Sequence, residues 1–236
     1  MPSDSGIQIL TLTLNNAERR GTWQESKDPE QAKVILQRST KRSVISEERL
    51  LVEGPAGKIG VSIIRPHTNH PVPAIVFVHG SGPQPRDANR YDAQRFADME
   101  IAAVIFDNRG VGETQGIFED ADFEDLAADA ISVAKYIQAQ TFISKVGFTG
   151  HSQGGWVSTL AASLWDKIAF VITISGPAVS PSRETQWDVV QKLRKSGAGT
   201  GPEANARELI ALWHQGIRCG DWPSFDKAYG VRFVEI

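Results

Sequence analysis

The sequence predicts an α/β fold built on a mostly parallel, doubly wound sheet, and three observations lead to this prediction. Several short runs are apolar without interruption, which is typical of strands covered on both faces. Amphipathic helical segments separate these runs, so strand and helix alternate along the chain. Each run ends in glycine and polar residues, at the sheet edge where ligands bind in such folds. The runs are residues 74–78, 101–106, 145–149 and 170–174.

Ahead of this pattern lies an N-terminal extension. Strand-like alternation covers residues 7–14, and residues 34–36 have the composition of a second short strand. Because a polar stretch separates them, the extension forms either a small β element or a loose arm. The core then opens with a hairpin, since two β-rich runs flank the turn sequence at 54–57. The chain therefore divides into an extension, a core and a C-terminal segment, at residues 1–46, 47–180 and 181–236.

Two segments of the core are predicted helices. In the first, apolar residues recur on one helical stripe. Carboxylates cluster at the start of this helix, where the helix dipole favours their negative charge. The second helix follows Gly154 and runs through Trp165. Strand, helix and strand at this spacing form right-handed crossovers, so the strands lie parallel. The stripe of the first helix consists of Phe123, Leu126, Ala127, Ala130, Val133, Ala134 and Ile137.

The C-terminal segment has a different sequence pattern. Residues 184–195 and 203–215 are predicted helices with apolar faces, and a glycine-rich stretch separates them. They either form a helical cap over the site or pack as ordinary outer helices. The final residues, 231–236, are apolar enough to begin a further strand.

Composition and charge argue against several classes of function. Hydrophobic residues make up 41% and charged residues 22% of the 236 residues, as in ordinary globular domains. The net charge of -3 and the scattered Lys and Arg argue against nucleic-acid binding. No apolar run approaches the roughly 20 residues of a membrane span. With one cysteine and no signal-like leader, we expect a cytoplasmic protein without internal disulfides.

The strongest motif is Gly-His-Ser-Gln-Gly-Gly at 150–155, which fits Gly-x-Ser-x-Gly between a buried strand and a helix. In that setting the serine occupies a sharp turn, and small residues on either side let neighbouring backbone pass close. The turn lifts the hydroxyl above the sheet edge, and the helix N-terminus favours negative charge developing there. We interpret Ser152 as a nucleophile. The alternative is a serine that only caps the helix.

A second glycine-rich loop, His-Gly-Ser-Gly-Pro at 79–83, follows the third strand of the predicted sheet. In folds with this nucleophile motif, that loop gives one backbone N–H of the oxyanion hole, and the residue after the serine gives the other. The candidate donors are therefore the backbone N–H groups of Ser81 and Gln153. Gly82 competes with Ser81, because the sequence does not fix the register of the loop. His79 is interpreted as a structural histidine that holds the loop by hydrogen bonds.

A third motif, Asp-Asn-Arg-Gly-Val-Gly-Glu-Thr at 107–114, completes an ordered set. In order and spacing the three motifs resemble the α/β-hydrolase superfamily, and most of all its serine aminopeptidase-like or acyl-esterase-like branch, over residues 47–180. The resemblance implies an α/β-hydrolase fold of about eight strands, of which about six can be placed. The side chains expected to hold loops rather than touch substrate are Asp107 and Arg109, with Arg86 and Asp87 as a local ion pair.

The resemblance also implies an acid and then a histidine after the nucleophile. Of the five histidines only His214 follows Ser152, and it lies in an amphipathic helix where a surface or cap role is expected. The nearest acids after the sixth strand, Glu184 and Asp188, fall in a predicted helix and face solvent. Three explanations stay open. The chain is truncated at its C-terminus and lacks both groups, which we favour; it is an inactive homologue; or His214 acts as base through a rearranged cap.

The leading hypothesis is a serine hydrolase that cleaves an acyl ester, amide or thioester through a Ser152 acyl-enzyme. Its partner is a small-molecule acyl substrate. No metal or organic cofactor is expected, because no cluster of His, Cys and Asp has ligand spacing. The alternative is a catalytically inactive homologue that uses the same pocket as a ligand-binding or interaction module. An incomplete sheet leaves an unpaired edge and exposed apolar faces, which predicts self-association.

Overall fold

A computed structural model of the chain describes the backbone of residues 7–14, 17–24, 33–38, 45–176 and 178–233, and side chains from residue 45 to residue 229 except residue 177. The chain separates into two compact units, Met1–Ile45 and Ser46–Ile236. Each unit has its own sheet.

Three strands form the sheet of the first unit: β1 (Ile7–Leu14), β2 (Ala17–Gln24) and β3 (Lys33–Arg38). They are antiparallel in the order β1-β2-β3. β1 confirms the strand predicted from alternation, and β3 contains the second short strand. β2 lies in the polar stretch where the sequence predicted no strand.

Six strands form the sheet of the second unit: β4 (Ile45–Gly54), β5 (Gly57–Pro66), β6 (Val72–Val78), β7 (Ala102–Phe106), β8 (Ile143–His151) and β9 (Val171–Ile174). Their order is β4-β5-β7-β6-β8-β9. β5 runs antiparallel to β7, whereas the pairs from β7 through β9 are parallel. The predicted fold class, a mostly parallel doubly wound sheet with six strands of the hydrolase architecture, is confirmed.

The apolar runs that predicted these strands are buried in the structure. Every residue of β7 is buried, and Pro73 is the one residue of β6 that is not. Burial on both faces explains why these strands show no polar alternation. Their side chains join those of two flanking helices in the main core.

Helices connect the parallel strands: a short 3₁₀ turn (Arg86–Asn89), α1 (Arg90–Asp98), α2 (Phe123–Gln138) and α3 (Gln153–Leu164). α2 begins at a capping box. The Asp122 carboxylate accepts a hydrogen bond from the backbone N–H of Asp125, and the Asp125 carboxylate accepts one from the N–H of Asp122. The acidic start of this helix therefore has the local role that its sequence predicts.

Three further helices follow the sheet: α4 (Pro181–Lys195), α5 (Thr200–Cys219) and α6 (Trp222–Phe233). α4 packs on α5, and α5 packs on α6. α4 and α5 confirm the two predicted helices. The prediction that a strand begins at residue 231 is wrong, because residues 231–233 continue α6; residues 234–236 lie outside the described part of the chain. Of the described helices, none combines the length and apolar character that crossing a bilayer requires.

Candidate active site

Ser152 occupies a sharp turn between β8 and α3, with a φ of 53° and a ψ of -120°. Such a conformation costs a residue other than glycine about 1–3 kcal/mol, and the conformation persists only where the surrounding structure imposes it. Here the backbone N–H of Ser152 donates to the carbonyl of Ile174 at 3.0 Å, and its own carbonyl accepts from the N–H of Gly155 at 2.8 Å. The turn is therefore fixed from the neighbouring strand and from the helix.

The glycines on either side of Ser152 are required by close backbone packing. A Cβ atom at Gly150 would overlap the backbone of Gly154. A Cβ at Gly154 would overlap the carbonyl oxygen of Val78 and lie 2.5 Å from that of His79. These are backbone atoms that cannot rotate away. The spacing of the sequence motif thus has the steric origin that the sequence predicts.

The hydroxyl of Ser152 does not cap α3, although Ser152 is the residue at the N-cap position. Its side chain is partly exposed at the carboxyl edge of the sheet. The interpretation of this serine as a helix cap therefore finds no support in the geometry.

The loop that begins at His79 passes directly beside this turn. β6 and β8 are parallel neighbours in which Val78 pairs with Gly150, so the residues after both strands emerge side by side. A Cβ at Gly80 would lie 3.4 Å from the carbonyl oxygen of His151. The loop and the serine turn are thus adjacent at one edge of the sheet.

Two side-chain amides hold this loop through its carbonyl groups. Asn108 Nδ2 donates to the carbonyl of Gly82 at 3.0 Å, and Gln84 Nε2 donates to that of Ser81 at 2.9 Å. Within the described part of the chain, the backbone N–H groups of Ser81, Gly82 and Gln153 donate to no protein acceptor. These N–H groups are available to a ligand oxygen, as an oxyanion hole requires.

Both ring nitrogens of His79 hold structure rather than face a substrate. Nε2 donates to the carbonyl oxygen of Phe106 at 2.5 Å, and Nδ1 accepts from Asn89 Nδ2 at 3.0 Å. Burial lowers the pKa of His79, so the ring is neutral at physiological pH. The imidazole ties the loop to the end of β7 and to the 3₁₀ turn.

Asp107 anchors the loop that follows β7. One carboxylate oxygen accepts from the backbone N–H of Arg86 at 2.6 Å, and the other lies 2.9 Å from the Arg86 guanidinium. Arg109 is held by Asp129 on α2, through hydrogen bonds of 2.7 and 3.1 Å. Both side chains have the loop-holding role expected from the sequence.

The predicted ion pair between Arg86 and Asp87 is wrong. Arg86 turns inward, is 8% exposed, and pairs with Asp107 and Glu113. Asp87 stays at the surface and pairs with Arg90 at 2.6 Å. The buried carboxylate of Asp107 attracts the guanidinium more strongly than an exposed neighbour does, because the interior screens charge less than water.

The structure does not bring the candidate acids or His214 to Ser152. His214 lies on α5 with its ring 4.9 Å from that of Trp213, and its Nε2 atom is buried without a hydrogen-bond partner. Burial lowers the pKa of His214. Asp188 pairs with Lys192 on the same helix at 2.6 Å. Across the described residues, neither of these side chains nor that of Glu184 hydrogen-bonds to Ser152, and no cluster of His, Cys, Asp and Glu has the arrangement of a metal site.

Two positioning residues were not predicted from the sequence. Asn108 fixes the loop opposite Ser152, and its place directly after a buried strand was a usable signal. Asp129 is buried beside Arg109, and a lone carboxylate on the apolar stripe of α2 was another.

Strand order, serine turn and facing loop together define an α/β hydrolase. The family model of serine aminopeptidase S33 matches residues 69–206, more than half of the chain. The chain belongs to this family.

Similarity to individual proteins agrees with this assignment. Esterase EstD of Thermotoga maritima is 27% identical over 173 residues, which cover 70% of this chain and 40% of the esterase. The chain thus spans well under half of that relative's length.

Two solved structures share the fold. The α/β hydrolase GrgF from Penicillium sp. sh18 has a TM-score of 0.51 and 18% identity, over 64% of this chain and 53% of that chain. Est1E from Butyrivibrio proteoclasticus, with ferulic acid bound, has a TM-score of 0.50 and 23% identity, over 61% of this chain and 56% of that chain.

Proposed function

We propose that this chain carries the nucleophile of a serine hydrolase that cleaves an acyl ester through a Ser152 acyl-enzyme. The observation that supports this most is the serine turn itself, where a strained φ of 53° is imposed between glycines that packing requires. Strain of this kind persists where a side chain must be presented to a ligand. Similarity to an esterase favours an ester over an amide or a thioester.

In the proposed reaction, Ser152 Oγ attacks the acyl carbon and transfers its proton to a base. The carbonyl oxygen gains negative charge and is held by the backbone N–H groups of Gln153 and of Ser81, with Gly82 as the alternative donor. The positive end of the α3 dipole lies at the same point and favours that charge. Collapse of the tetrahedral intermediate breaks the ester bond, the alcohol leaves with a proton, and water then hydrolyses the acyl-enzyme.

A base and an acid complete the proposal. We assign proton transfer to a histidine that a carboxylate orients, in the order nucleophile, acid, histidine along the chain. Among the described residues His214 does not hydrogen-bond to Ser152, so it is not assigned this role. The alternative function is an inactive homologue that binds a ligand at the same edge of the sheet.

Ester turnover by the protein expressed from its full natural reading frame separates the two functions. With p-nitrophenyl acetate and butyrate, we expect Ser152→Ala to lower kcat by more than about a thousand-fold, because removal of a triad nucleophile leaves only oxyanion-hole catalysis. Ser163→Ala is the matched control, since it removes an exposed hydroxyl from the same helix. We expect kcat within about two-fold of the parent there, as for an ordinary surface substitution.

Two results would count against the enzyme. A folded protein that binds acyl ligands without turnover favours the binding module. Turnover that survives Ser152→Ala places the chemistry elsewhere.

A further inference from the structure

A cavity of about 170 Å³ lies at the opposite edge of the sheet from Ser152. It is lined by the end of β5 and the loop after it, the start of β6, the residue before β8 and the start of β4. Phe142 precedes β8 and Ser152 follows it, so at about 3.3 Å per residue the two are on the order of 30 Å apart. The cavity is therefore separate from the candidate active site. Its walls include Ser46, Arg65, Pro66, His67, Val72 and Phe142.

Arg65 carries a permanent positive charge in the wall of this cavity, and two neighbours fix its orientation. The centre of its guanidinium lies 4.5 Å from the ring centroid of Phe142, a cation–π contact. Its Nε donates to Ser46 Oγ at 3.2 Å. The ring contact fixes the plane of the guanidinium, and the hydrogen bond fixes one of its edges. Its two terminal nitrogens are therefore held in a fixed orientation.

No protein carboxylate neutralises Arg65 within the part of the chain described. Other half-buried or buried arginines of the same unit are paired: Arg90 with Glu47 and Asp87, and Arg109 with Asp129. Arg65 takes part in no such pair among the described residues, where its hydrogen bond is the one from Nε to Ser46 Oγ. A partly buried, oriented guanidinium that no described carboxylate neutralises is a binding group for an anion.

We propose that this cavity binds a small organic monocarboxylate with an apolar body. The planar fork of Arg65 matches a carboxylate bidentately, and one fixed positive charge matches one negative charge. Val72 is buried in the wall and Phe142 supplies a ring face, so the site also offers apolar surface that an inorganic ion would not use. A cavity smaller than an ordinary drug-sized pocket suits a ligand the size of benzoate. This proposal does not depend on the chemistry at Ser152.

Titration calorimetry of the 236-residue chain with benzoate at constant ionic strength tests the site. We expect saturable binding with one site per chain. Arg65→Met keeps the apolar stem and removes the fork, so we expect affinity to fall at least ten-fold. Arg49→Met is the matched control, because Arg49 is exposed, lies on neighbouring β4 and contacts only Glu47 among the described side chains. We expect no change in affinity there.

Two further measurements on the parent protein test the site without a variant. In the parent protein, nuclear Overhauser effects from benzoate protons to the Phe142 ring and the Val72 methyls report the site even if a variant fails to fold. Inorganic phosphate serves as the second ligand. Absent benzoate saturation, unchanged affinity in folded Arg65→Met, or phosphate binding as tight as benzoate would each overturn the proposal.

Discussion

Ser152 shows how the conformation of one residue is set by segments distant in sequence. Its N–H is held by β9, its carbonyl by α3, and the glycine after next lies against the carbonyls at the end of β6. The strained φ is therefore a product of tertiary packing, not of a local turn preference. The motif could be recognised in the sequence, but the atoms that enforce it could not.

Gly154→Ala tests this packing. The added Cβ would overlap backbone oxygens of Val78 and His79, so the turn or the strand end must shift. We expect the free energy of unfolding to fall by about 1–3 kcal/mol, as for overpacking of an interior site. Urea unfolding measures it.

Gly201→Ala is the control for that substitution. Gly201 lies in the first turn of α5 with open space around it, so an added methyl meets nothing. We expect unchanged or slightly raised stability, because alanine stabilises a helix more than glycine does. Equal effects of the two substitutions would show that the serine turn is not tightly packed.

Among the strands and helices, the strands that are buried on both faces could be predicted from the sequence. A strand whose structure depends on pairing with its neighbours could not. Strands such as β7 are apolar throughout because both faces are covered, and this pattern is readable. β2 pairs with strands on both sides although its polar sequence has no alternation, so its partners decide its structure. The sequence at the end of α6 is compatible with either a strand or a helix, since a short apolar run occurs in both. The partners of Arg86 lie too far along the chain to be read from spacing.

The outer strand β4 is tied to α1 by an ion pair, which predicts an acid-sensitive contribution to stability. Arg90 donates to both carboxylate oxygens of Glu47, at 2.7 and 3.0 Å. These hydrogen bonds lower the pKa of Glu47 from 4.5 to about 2. Because the folded state favours the ionised carboxylate, the stabilisation is present above pH 4.5 and is lost as the pH falls toward about 2.

Glu47→Gln should remove this contribution. The side chain is 31% exposed, so solvent screening limits the expected loss to about 1 kcal/mol at pH 7. We expect the difference from the parent protein to shrink as urea unfolding is repeated at lower pH. Glu53→Gln, an exposed position on the same strand, is the control. A difference that stays constant across the pH series would contradict the role of the ion pair.

At the scale of the whole second unit, β9 is an edge strand with apolar side chains facing solvent. Ile172 is 39% exposed and Ile174 is 48% exposed. β8 covers one side of β9, and no described strand covers the other. Unguarded edges of this kind pair with other chains, because their backbone donors and acceptors remain unused. The sequence predicted this property from the strand count alone.

The 236-residue chain should therefore self-associate at micromolar concentrations. Ile172→Lys places a charge on the edge, and we expect it to shift the chain toward monomer in sedimentation velocity. Ile117→Lys is the control, since Ile117 is 58% exposed in a loop outside the sheet. A monomeric parent chain, or equal effects of both lysines, would rule out association through β9.

Mapping the adduct of a fluorophosphonate probe shows whether folding makes Ser152 an accessible nucleophile. With the protein expressed from its full natural reading frame, we predict a single modified peptide that carries the phosphonate on Ser152, formed by folded protein and not after denaturation. Modification of another serine, or labelling of Ser152 that is equal in folded and denatured protein, would show that folding does not make Ser152 the nucleophile.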